Sequence, residues 1–184
     1  MPRFVAFLRG INLSGVRTVR MDFLRHRFES LDFSGVETFI ASGNVVFHAR
    51  AKSSRALETK IEKSLRAALG YDVDVFIRTA AESIAIANYD PFPKAKTNVH
   101  TACNIIFLVD ALDKKLTRAV AMLRTGTDKF RVRRREIYWL RHRRKGGLFS
   151  TVPLAKTLGR GFTVRACNTV KRMVARYFLP IRVR

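Results

Sequence analysis

The sequence predicts an α+β protein built from two ferredoxin-like (split βαβ) halves in tandem, spanning residues 1–78 and 79–184. Three observations carry this expectation. Apolar spacing in the first 78 residues follows the order β-α-β-β-α-β, and the order β-α-β-β recurs after residue 100. The 184-residue chain also has 47% hydrophobic residues, including 14 Phe, which is enough for a buried core but not for a disordered chain.

The first strand covers residues 4–9, whose bulky apolar run stops at Gly10 and enters the turn Asn12-Leu13-Ser14-Gly15. Met21, Leu24, Phe28 and Leu31 then recur at helical spacing until Phe33-Ser34-Gly35 ends the run. Residues 36–40 and 44–48 pair as a hairpin across Ser42-Gly43. Leu57, Ile61, Leu65 and Leu69 mark a second helix, with Gly70 at its C-cap. Residues 73–78 give the fourth strand.

The second half opens with a short helix, since Thr79-Ala80-Ala81-Glu82 has the form of a capping box and Asp90-Pro91-Phe92-Pro93 ends the segment. A strand over 104–109 follows, and then a helix marked by Leu112, Leu116, Val120 and Leu123 with Asp110 as its expected cap. Residues 130–133 and 137–140 form a second hairpin. A basic connection over 141–147 leads to helices expected at 151–158 and 169–179, so this half has an altered ending.

The net charge is +22, from 36 Lys plus Arg against 14 Asp plus Glu, and 25 of the cations are Arg. It is unevenly spread: residues 1–128 carry +6 and residues 129–184 carry +16, with Glu136 the last acid. Such a field attracts polyanions, nucleic acid first among them, although an Arg-rich solvated surface gives the same count. The longest apolar run is five residues, Ile105 to Val109, which excludes a membrane-spanning helix. The chain opens on a strand rather than a cationic and apolar leader, so the cytoplasm is the expected compartment. Cys103 and Cys167 are too few for a disulfide framework or a four-cysteine zinc site, and buried reduced thiols are expected.

In a ferredoxin-like half the first and third strands are antiparallel neighbours. Arg9, Gly10 and Asn12 would then share one rim with Ser42, Gly43 and Asn44, where backbone N–H groups and a guanidinium hold a phosphate or carboxylate. The alternative is that the asparagines satisfy turn backbone and the glycines supply positive φ. A second candidate site is basic and aromatic: Arg131, Arg133, Arg134 and Arg135 precede Tyr138 and Trp139, and Arg141, Arg143, Arg144 and Lys145 follow. Period-two alternation puts Phe130, Val132, Ile137 and Trp139 toward the core and leaves Arg131, Arg133 and Tyr138 outward. Base stacking on the first sheet is not expected, because Asn44 and Val46 stand where RNA-recognition sheets carry aromatics.

Arg9-Gly10-Ile11-Asn12 with Ser14-Gly15, and Ser42-Gly43-Asn44-Val45-Val46-Phe47, resemble the signature stretches of the bacterial domain-of-unknown-function family 1697. Asp90-Pro91-Phe92 resembles that family's Asn-Pro-Phe segment, and residues 163–170 resemble its Thr-x-Arg-Asn-Trp-Asn-Thr-Val block, with Ala166 and Cys167 replacing Asn and Trp. The resemblance covers essentially the whole chain. It implies two related α+β halves and brings no established activity, cofactor or partner. It also adds Arg165, Asn168 and Thr169 to the candidate ligand set, though Asn168 or Thr169 as N-cap of the last helix is the competing reading.

Enzymatic signatures are weak. The four histidines lack paired metal-ligand spacing, no nucleophile elbow or Walker-type loop occurs, and Thr151 stands where a Ser-Lys dyad with Ser150 would need its Lys. No metal or cofactor is expected. The leading expectation is a protein that binds an anionic ligand, with nucleic acid as the polyanion and 129–145 as its footprint. A small-molecule enzyme acting on a phosphorylated or carboxylated substrate at the Arg9, Asn12 and Asn44 rim is the alternative. The sequence sets no oligomeric state.

Overall fold

The computed structural model describes residues 1–12, 18–93, 101–142, 150–159 and 161–179. The elements are β1 (Arg3–Leu8), α1 (Met21–Glu29), β2 (Ser34–Thr38), β3 (Asn44–His48), α2 (Ser54–Leu69), β4 (Val75–Thr79), α3 (Ala80–Asn88), β5 (Thr101–Phe107), α4 (Lys114–Met122), β6 (Asp128–Arg133), β7 (Glu136–His142), α5 (Val152–Leu158), β8 (Thr163–Ala166) and α6 (Cys167–Tyr177). The order β-α-β-β-α-β-α therefore occurs twice. Its strands form two antiparallel sheets of matching order, β2-β3-β1-β4 and β6-β7-β5-β8. This is the α+β tandem of ferredoxin-like halves. The altered ending expected of the second half is corrected by β8, a four-residue strand that runs straight into α6 and restores the order of the first half.

The chain packs as two compact units, Met1–Ala87 with Arg172–Arg184, and Asn88–Lys171. All of α3 but its last residue, Asn88, belongs to the first unit.

In the first unit, alternate strand residues Phe4, Ala6, Leu8, Val45, Phe47, Val75 and Ile77 pack against Leu24 and Phe28 of α1 and Leu57, Ile61 and Leu65 of α2. The Phe47 ring lies 4.6 Å from Phe33 and 5.3 Å from Phe28, centroid to centroid. Such aromatic pairs add about 1 kcal/mol each beyond the area they bury. Local signals set the helix ends. Ser53 Oγ accepts from Ala56 N–H at 3.2 Å, and Gly70 closes α2 at φ +77°. The Thr79/Glu82 capping box forms in both directions, with bonds of 2.9 and 3.1 Å. Within this unit Phe39 and Tyr177 meet edge to face, and Arg3 donates to the Tyr177 carbonyl.

In the second unit, Ile106, Leu108, Val120, Ile137, Trp139, Leu154, Leu158 and Phe162 form the core on the helical side of the sheet. The N-cap of α4 is Asp113, accepting from Leu116 N–H at 2.7 Å, and not Asp110. One further expectation is overturned: Cys103 and Cys167 are joined by a disulfide. The reason lies in the register. Asn104 is the cross-strand partner of Ala166, so Cys103 and Cys167 are the next pair outward, with Cα atoms 5.4 Å apart despite a sequence separation of 64.

Candidate functional site

The rim expected in the first unit is assembled as the strand order requires. Phe7 is the partner of Asn44, and Leu8 N–H donates to Gly43 C=O at 2.8 Å. Its polar side chains, however, hold the chain's own backbone. Asn12, at φ +53°, accepts from Val19 N–H at 2.6 Å and donates to Val19 C=O at 3.1 Å and to Ala41 C=O at 3.0 Å. Asn44 is fully buried and donates to Phe39 C=O at 3.0 Å and to Ser42 Oγ at 2.8 Å, closing the β2–β3 turn. Arg9 pairs with Asp74 at 2.7 Å, an exposed contact worth under about 1 kcal/mol. Gly10 and Gly43 take φ of +78° and +70°. A Cβ on Gly43 would sit 2.7 Å from Ile11 Cδ1, so that glycine answers to core packing as well as to turn conformation.

The family-derived residues lie at the junction of β8 and α6. Arg165 is 8% exposed and donates to Thr163 Oγ1 and Val164 C=O, each at 2.8 Å; burial lowers its pKa to about 10. Because β8 passes directly into α6 at Cys167, Asn168 and Thr169 occupy the first turn of the helix rather than its N-cap. Asn168 is exposed there.

Sequence reasoning passed over the counterpart of Arg165. Arg78 lies on β4, the topological equivalent of β8. It is wholly buried, pairs with Val5 of the central strand as Arg165 pairs with Ile105, and donates to the carbonyl of the residue before it at 2.8 Å. The signal is present in the sequence, since Ile77-Arg78-Thr79 and Val164-Arg165-Ala166 each precede a helix.

In the basic hairpin the register is kept: Phe130 faces Trp139 and Arg131 faces Tyr138. Trp139 is buried as expected, stacked on Phe130 at 5.5 Å, and its Nε1–H donates to Asp128 Oδ1 at 2.7 Å. Tyr138 does lie on the side away from the helices, opposite Arg131, but the solvent exposure implied for it is corrected. Tyr138 is 1% exposed, because the sheet face away from the helices is buried along β7, and burial drives its phenol pKa upward. Its ring packs edge to face against Tyr89, over which Arg133 lies at 4.3 Å. Arg135 donates to Val109 C=O at 3.2 Å, while Arg141 lies 3.8 Å from Asp128 and over Trp139. Arg131 and Arg134 are exposed, and so is Lys129, two residues before Arg131 and absent from the candidate set read from sequence. Arg143, Arg144 and Lys145 lie outside the described residues. A shallow cleft of about 90 Å³ runs past Leu123, Phe130, Trp139 and Leu154, with Thr125, Asp128 and Ser150 also lining it. Among the described residues, no three His, Cys, Asp or Glu stand together as a metal site, and no helix is long and apolar enough to cross a membrane.

Comparison with known proteins places this architecture. Residues 1–138 match the family described as a protein of unknown function, DUF1697. The chain belongs to that family. This DUF1697 protein is also similar to the solved structure of the conserved bacterial protein SP0830 from Streptococcus pneumoniae. The TM-score is 0.70 at 21% identity, over 94% of this chain and 98% of that one, a likeness of fold. No curated protein matches the chain.

Proposed function

We propose that this DUF1697 protein binds nucleic acid through its phosphate backbone, using the β6–β7 edge of the second sheet. One juxtaposition supports the reading. Lys129 and Arg131 alternate along β6, the terminal strand of its sheet, and Arg134 follows in the β6–β7 turn; all three are exposed. The two acids of this hairpin are turned inward: Asp128 accepts from Trp139, Thr125 and Thr127, and Glu136 is 4% exposed. Positive potential therefore dominates the edge.

The burial of Tyr138 and Trp139 sharpens the reading. Neither ring is presented for stacking on an unpaired base, so recognition rests on phosphate charge and favours a duplex, with its denser charge, over a single strand. The rim residues Arg9, Asn12, Ser42 and Asn44 have hydrogen-bond or ion-pair work inside the first unit, and no observation favours substrate turnover there.

The test is fluorescence anisotropy on the nuclease-treated protein with short single- and double-stranded RNA and DNA across a salt series. The triple variant Lys129→Ala, Arg131→Ala, Arg134→Ala is compared with Lys114→Ala, Lys115→Ala, Arg118→Ala on α4, which removes the same charge elsewhere. The edge variant should weaken duplex binding and flatten the log–log salt slope by roughly 3, at about 0.9 per phosphate contact. Absence of binding near physiological ionic strength, or equal losses in both variants, would refute the proposal.

A further inference from the structure

We infer that Cys103 and Cys167 are a reversible redox site that exchanges with small thiols of the glutathione class, independently of the polyanion reading. Both cysteines are partly exposed rather than buried, and exchange requires that a small thiol approach the bond. They extend the β5–β8 ladder beyond the Asn104/Ala166 pair, and their Cα separation of 5.4 Å lies within the range that a disulfide closes without backbone movement. The four pairs of that ladder and the core around Trp139 and Leu154 do not depend on the S–S bond, so the unit keeps its shape when the bond opens. The two sulfurs also differ. Cys167 is the first residue of the 11-residue helix α6, where the N–H groups of the first turn stabilise a thiolate, whereas Cys103 sits within β5.

That difference orders the chemistry. The incoming thiolate attacks Cys103 Sγ; the protein S–S bond breaks, its electron pair leaves on Cys167 Sγ, and a mixed disulfide forms at Cys103. A second small thiolate attacks the sulfur of the bound thiol, expelling the Cys103 thiolate. In all, two small thiols are oxidised to one small disulfide, and their two electrons and two protons pass to the protein as two thiols. The reverse steps, driven by the small disulfide, restore the bond.

The experiment equilibrates the full chain over a wide range of reduced-to-oxidised glutathione ratios without air, quenches with acid, and counts alkylated thiols by mass spectrometry. Circular dichroism follows the fold in parallel. The pair should pass from oxidised to reduced within the range, with the transient glutathione adduct on Cys103 and the fold retained. In single variants, Cys167 of Cys103→Ser should alkylate several-fold faster at neutral pH than Cys103 of Cys167→Ser. A bond that stays closed at every ratio, thiols that never join in oxidised glutathione, or loss of the folded signal on reduction would each overturn the inference. Equal alkylation rates or an adduct on Cys167 would overturn the assigned order of attack.

Discussion

Replacing Asn12 by Ala removes three hydrogen bonds at once: those to Val19 N–H and C=O, which tie the end of β1 to the approach to α1, and that to Ala41 C=O before the β3 strand. Each is worth about 1 kcal/mol net, and Val19, itself buried, keeps an N–H that has lost its acceptor. The position also has φ +53°, where Ala costs about 1 kcal/mol more than Asn or Gly. Asn12→Ala should therefore lower unfolding free energy by about 3–4 kcal/mol, and Asn12→Gly by about 1 kcal/mol less, since it loses the same bonds without the strain. Urea denaturation of both variants, followed by circular dichroism, separates the contributions. A loss below about 0.5 kcal/mol in Asn12→Ala, or a Gly variant weaker than the Ala variant, would refute the structural role and return Asn12 to the candidate ligand residues.

Gly43→Ala should cost about 2–4 kcal/mol in the same assay, because the new methyl meets Ile11 Cδ1 and Leu8 Cβ at a φ of +70°; wild-type stability would refute the close approach. Trp139→Phe keeps a ring beside Phe130 but loses the donor to Asp128, and a double-mutant cycle with Asp128→Ala should give a coupling of about 1–2 kcal/mol, absent if that bond does no stabilising work. Burial disfavours the Arg165 cation and lowers its pKa to about 10, while Thr163 Oγ1 and the Val164 carbonyl accept from it. Arg165→Met leaves both acceptors without that donor and should cost about 1–3 kcal/mol in urea denaturation; wild-type stability would refute the structural role of these bonds.

The architecture was legible wherever burial imposes a short period. The β3 strand has the expected bounds, the β1/β3 adjacency follows from element order, and Phe130, Val132, Ile137 and Trp139 share the side expected of them. What escaped depends on chain segments distant in sequence. β8 is four residues with an Arg at its third position, too short and too polar to show an alternation. The Cys103/Cys167 bridge becomes visible only when β8 supplies the register. Alternation also tells which side of a strand faces its own helices, but not whether the opposite side meets water; Tyr138 and Glu136 are both buried on that opposite side. For the same reason the rim residues were easier to group than to interpret. Their nearness follows from topology, whereas their inward hydrogen bonds depend on exact turn conformation.

The terminal strand of a sheet offers its unused N–H and C=O groups to any extended chain, and in a crowded solution the commonest such chain is another copy of the same protein. On β6 that invitation is guarded by charge: Lys129, Arg131 and Arg133 recur at every second residue, so a second copy aligned along the strand would bring like charges together before the ladder could form. The same cations on which the proposed function rests thus also disfavour strand-to-strand self-pairing. On the proposed function, neutralising them would lower affinity for the polyanion and at the same time uncover the strand to self-pairing.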